Sequence, residues 1–114
     1  MKIKRYFNEP HYITIEEFAE KHDLTMEVRE RGFKYPNKDR YMRFYAEFSN
    51  TWVENDGLLR GTYGNGATEE EAIEAYAGII QNETLIVDPH EKSRREIDVP
   101  TLYKWVRIEK EGDE

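Results

Sequence analysis

The sequence predicts an α+β fold: two helices on one face of an antiparallel sheet, extended by C-terminal strands. Three observations predict it. Two Thr-x-x-Glu boxes, Thr14/Glu17 and Thr68/Glu71, each open a run of helical apolar periodicity. Between them "YMRFYAEFSNTWV", residues 41–53, alternates apolar and polar side chains as a strand does. An Asp56-Gly57 pair follows, the strongest short hairpin signal.

The elements follow in order. Thr14 caps a helix over 14–22, Ile13 and Phe18 staple its entry, and Ile15, Phe18, Ala19 and His22 share a face. "LTMEVRER" is a strand with Leu24, Met26 and Val28 on one side. "GFKYPNKDR" carries Gly32, Pro36 and Asn37 and reads as a loop. In 41–53, Met42, Phe44, Ala46 and Phe48 are expected to face the core, with Tyr41, Arg43, Tyr45 and Glu47 outward. "LLRGTYG" returns as a third strand. Gly64 and Gly66 are expected to supply positive φ for a strand-to-helix turn. Thr68 then caps a helix over 68–81 whose stripe is Ala72, Ile73, Tyr76, Ala77 and Ile80, stopped at Asn82. "TLIVD" and "REIDVP" are two short strands joined by "PHEKSR", and 101–108 is a strand by its Tyr, Trp, Val and Ile.

The chain of 114 residues is expected to form a single domain, 1–114, with an α-β-β-β-α core at 13–81, a strand extension at 82–108 and an acidic tail at 109–114. Leu, Ile, Val and Phe make up only about a fifth of it, so eight Tyr and two Trp must help to fill the core. With no cysteine, thiolate chemistry and disulfides are excluded, and a cytoplasmic setting is expected, in a host cell if the chain is phage-encoded. Residues 1–12 lack a signal-peptide core, and no apolar run approaches the ~20 residues of a membrane span.

The element order with "GNGATEEEAI" (64–73) resembles the double-stranded RNA-binding domain, whose second helix follows a G-x-G-x-S/T-K-K-x-A-K ending. The resemblance covers roughly 13–81 and implies an α-β-β-β-α unit. It departs at the charges: Glu69 and Glu70 stand at the family's phosphate-binding lysines, and Ile73 at the last of them. Reversed charge removes the main contribution to phosphate affinity, so RNA binding is not expected from this helix. A weaker resemblance is to HicB-type antitoxins, through Gly66-Ala67-Thr68-Glu69-Glu70-Glu71-Ala72.

A net charge of −7 repels free nucleic acid and suits a basic protein surface. The glutamates also stabilise their own helix, by ~0.3–1 kcal/mol each at an exposed N-terminus. Gly64-Asn65-Gly66 is read as a tight turn rather than a phosphate cradle. His11, His22 and His90 have no ligand spacing, and Asp88-Pro89-His90-Glu91 is a solvated turn, so neither metal nor cofactor is expected. No nucleophile or acid–base constellation suggests an enzyme. Two surfaces stand out for partner binding: the acidic band Glu69, Glu70 and Glu74, extended by Glu71, Glu16, Glu17 and Glu20, and the outward face Tyr41, Arg43 and Tyr45. The expectation is a small acidic binding protein, in the style of phage-encoded anti-defence and anti-CRISPR inhibitors, docking on a basic nucleic-acid groove. The alternatives are an RNA-binding module using Lys34, Lys38, Arg40, Lys92, Arg94 and Arg95, or a HicB-like antitoxin.

Overall fold

The computed structural model describes residues 2–4, 13–31 and 42–105. Tyr41, Lys34, Lys38, Arg40 and His11 lie outside the described residues. The elements are β1 (Lys2–Lys4), β2 (Ile13–Thr14), α1 (Ile15–Lys21), β3 (Met26–Glu30), β4 (Phe44–Phe48), β5 (Thr51–Asn55), β6 (Leu58–Arg60), β7 (Gly64–Gly66), α2 (Glu69–Ile80), β8 (Thr84–Val87), β9 (Arg95–Asp98) and β10 (Leu102–Trp105). The α+β class and both helices are as the sequence predicts.

The first capping box forms in full. The Glu17 N–H donates to Thr14 Oγ1 at 3.1 Å, and the Thr14 N–H donates to Glu17 Oε1 at 2.8 Å. The second forms by half. The Glu71 N–H donates to Thr68 Oγ1 at 3.1 Å, while the exposed Glu71 carboxylate does not reach back to the cap. One donor of the first turn is thereby satisfied by the cap. The predicted stripe of α2 is buried at Ala72, Tyr76, Ala77 and Ile80, with Ile73 packed at its border. The helix ends at Ile80; Gln81 leaves it with an extended ψ of 138°, and Asn82 follows at a left-handed φ of 63°.

The predicted single strand over 41–53 is two strands. Asn50, at φ 50°, turns a corner between β4 and β5. The corner shifts the alternation: β4 buries Ala46 and Phe48, whereas β5 buries Thr51 and Val53. Met42, expected in the core, is 40% exposed because the strand begins only at Phe44. Asn tolerates left-handed φ better than most side chains. Its amide also fixes the corner, donating to Asp88 Oδ1 at 2.8 Å and Glu91 Oε2 at 2.7 Å.

The corner lets one run of chain serve two antiparallel sheets. β4 lies between β3 and β7; β5 lies between β6 and β8, and β9 follows on β8. The Asp56-Gly57 hairpin joins β5 to β6 with φ of 52° and 80°, as its sequence predicts. β8 has strands on both sides and is buried at Leu85, Ile86 and Val87 in succession, the reading of a central strand. A third sheet is parallel: β10 runs between β1 and β2. The expected strand over 101–108 is thus present at 102–105, with parallel partners that no local pattern announced.

Gly64 and Gly66 do not turn the chain. Neither has positive φ; both lie in β7, directly beneath α2. A Cβ on Gly64 would meet Tyr76 N and Ala72 O at less than 3.0 Å, and one on Gly66 would meet Ala72 N as closely. The glycines let a helix lie on a strand at backbone contact. Phe48 is the centre of the resulting core, with the Tyr76 ring edge-on at 5.4 Å and Phe18 at 6.4 Å. Among the described residues, no helix is long and apolar enough to cross a membrane.

Candidate functional site

α1, α2 and β10 meet around a concavity of about 220 Å³. Its lining is Ile15, Glu16, Glu70, Ile73, Glu74, Tyr103 and Lys104. Helical spacing explains the set. Glu70, Ile73 and Glu74 stand three and four residues apart, on one flank of α2. Ile15 and Glu16 open α1. Tyr103 and Lys104 come from β10, which packs against both helices.

The structure therefore brings three of the predicted glutamates to one place and leaves the others elsewhere. Glu69 and Glu71 are exposed at the start of α2, outside the concavity. Glu17 is bound to the Thr14 cap, and Glu20 is exposed farther along α1. Glu74, expected to be free for a partner, already holds the Lys104 ammonium, with Nζ at 2.9 Å from Oε1. Lys104 was not singled out by its sequence. A lone lysine in a short C-terminal strand has no signal that places it beside a helix formed thirty residues earlier. The concavity thus offers carboxylates at Glu16 and Glu70, an ion pair at Glu74–Lys104, and apolar surface from Ile15 and Ile73. Such a set is matched by charge and shape to a cation carried on an alkyl stem.

The outward sheet face is built differently from the expectation. Tyr45 is half-buried beneath Arg31, whose guanidinium lies 4.9 Å from its ring centre and 5.8 Å from that of Tyr63. Tyr45 and Tyr63 meet edge to face at 5.9 Å. Arg31 also donates to Met42 O at 2.6 Å and Asn65 Oδ1 at 2.7 Å. Arg43 is ion-paired to Glu30 and so is not a free anchor. Burial and the facing Glu27 push the Glu47 carboxyl up, against the pull of Arg29.

The basic turn is partly engaged by its own fold. Arg95 donates to the backbone carbonyls of His22 and Asp23, and Arg94 to that of Pro89 at 3.4 Å. Lys92 is exposed. His22 packs against Phe18 with ring centres 4.6 Å apart and planes tilted by 51°, and burial, with Lys21 and Arg95 nearby, lowers its pKa. Asp88 accepts from Asn50 and from Ser93 Oγ at 2.9 Å, so the Asp88–Glu91 turn is closed by hydrogen bonds. Among the described residues no three His, Cys, Asp or Glu side chains are grouped to hold a metal ion. Comparison with protein-family models, with curated proteins and with solved structures found no match.

Proposed function

We propose that the protein is a small, non-enzymatic binding protein that docks its acidic concavity on the basic, nucleic-acid-binding surface of a protein partner and thereby blocks it. The observation that carries this reading is the convergence of Glu16, Glu70 and Glu74 around one concavity with apolar surface from Ile15 and Ile73. A carboxylate set of this kind steers a basic surface by charge, and the apolar surface supplies buried area. Five strands, not three, separate α1 from α2; of them β3, β4 and β7 form the antiparallel sheet beneath α2, and that is the part a double-stranded RNA-binding unit would share. Glutamates at its phosphate-facing helix start support a protein rather than a nucleic acid as partner. The alternative, RNA binding through the basic turn, is weakened because Arg94 and Arg95 are directed to backbone carbonyls of the same chain.

Affinity capture from a host lysate tests this, with the Glu16→Lys/Glu70→Lys variant as control. The wild type should retain a nucleic-acid-binding protein that duplex nucleic acid competes away and the variant does not hold. Identical capture by the two proteins, or capture indifferent to nucleic acid, contradicts it.

A further inference from the structure

The acidic concavity already holds a cation, and that cation belongs to the chain itself. β10 is the central strand of the parallel sheet, with Lys104 opposite Ile3 of β1 and Tyr103 opposite Thr14 of β2. Thr14 is also the cap of α1, so this register carries β10 to the place where α1 begins. Lys104 reaches from there to α2 and donates to Glu74 Oε1 at 2.9 Å. The two side chains remain 41% and 35% exposed. An ion pair so open to water is worth little and is readily broken.

Glu70 and Glu74 stand one turn apart on α2, a spacing at which like charges repel. Glu16 adds a third carboxylate to the same concavity. Among the described residues, Glu16 and Glu70 have no ion-pair partner. Lys104 therefore relieves one carboxylate of three and leaves two. A cationic side chain entering from outside meets Glu16 and Glu70 unopposed. At Glu74 it meets a place already taken, by a charge of its own sign.

We propose that Lys104 is an autoinhibitory contact: it occupies Glu74 in the free protein and is displaced when an arginine side chain of the partner enters. The proposal rests on the docking reading above and names the residue that regulates that same site. Lys104 competes from within the chain, so it acts at the high effective concentration of a tethered group. An incoming lysine brings the same ammonium without that advantage. A guanidinium brings a planar fork of donors that can bind a carboxylate through two parallel bonds. The contact therefore raises the threshold for entry and favours arginine over lysine, as a repulsive element in a specific interface does.

Calorimetric titration with hexa-arginine and hexa-lysine peptides tests the proposal, with circular dichroism to verify that each variant is folded. The wild type should bind hexa-arginine more tightly than hexa-lysine. Lys104→Met, which keeps the apolar stem and removes the charge, should tighten hexa-arginine by about fivefold, the scale of an exposed ion pair. It should tighten hexa-lysine more, so that the preference narrows. Lys104→Arg keeps the contact and should bind no more tightly than the wild type. In a Glu74→Gln background the gain from Lys104→Met should fall below about twofold, because no carboxylate is released. Unchanged affinity in Lys104→Met overturns the proposal. So does an equal gain in the Glu74→Gln background, which reflects net charge alone. Glu16→Gln/Glu70→Gln separates this from the docking reading. If that variant loses the peptide while Lys104→Met gains nothing, only the autoinhibitory contact falls; if it binds as the wild type does, both fall.

Discussion

Gly64 lies against the backbone of Tyr76 so closely that no side chain fits between strand and helix. This contact sets the height of α2 above the sheet, and with it the place where Glu70 and Glu74 meet β10. Gly64→Ala should cost about 3 kcal/mol or more, at the upper end of overpacking, because the obstacle is backbone on both sides. Gly78, on the same helix, has open space where its Cβ would be. Gly78→Ala should stabilise by up to ~1 kcal/mol through helix propensity. Urea midpoints of the two variants, moving in opposite directions, check the assignment.

Phe48→Ala removes the ring that Phe18 and Tyr76 both touch. The loss should be ~3–5 kcal/mol, a large part of a small domain's stability. Tyr45→Ala, on the other side of the sheet and half-exposed, should cost clearly less. Equal destabilisation would contradict the phase assigned to β4.

The Tyr76 hydroxyl is buried near the Phe48 backbone without a hydrogen bond of good geometry, and burial pushes its pKa up to about 12 from 10.0. The unfolded chain therefore releases this proton at lower pH than the folded one. Stability linked to Tyr76 is complete below pH 10 and falls as the pH rises toward 12, by roughly 2–3 kcal/mol in all. Tyr76→Phe should be nearly neutral at pH 7, because the buried oxygen satisfies no partner. It should flatten the decline between pH 10 and 12. Parallel alkaline stability curves for the two proteins would count against this account.

Asn50 holds the corner between the sheets through its left-handed backbone and its amide. Asn50→Ala loses both the amide bonds and the tolerance of positive φ, and should cost ~1–3 kcal/mol. Asn50→Gly restores the backbone freedom alone and should recover part of that loss. A thermal melt of the three proteins separates the two contributions.

Local chemistry made the helices legible: Thr14, Thr68 and their apolar stripes announce both, and Asp56-Gly57 announces the hairpin. What stayed hidden depends on distant partners. The Ser49-Asn50 corner is two polar residues inside an alternating run, and only the pairing of β5 with β8 shows why the phase must change there. The GNG segment carries the composition of a turn, and only the helix above it reveals a packing role. In the site, Glu70 and Glu74 were readable as neighbours on α2. Their convergence with Glu16 and Lys104 was not, because β10 reaches the helices through a parallel sheet built from both ends of the described chain. Arg31 and Tyr63 escaped notice for the same reason: each gains meaning from the cross-strand register.

If the concavity between α1, α2 and β10 binds cationic side chains, a nuclear magnetic resonance titration with an arginine-rich peptide will show it. Shifts should be concentrated at Ile15, Ile73, Tyr103 and Lys104, weakened by salt and lost in Glu16→Gln/Glu70→Gln, whose fold should be unchanged. Shifts spread evenly over the acidic surface, or a titration that the double variant leaves intact, would contradict it.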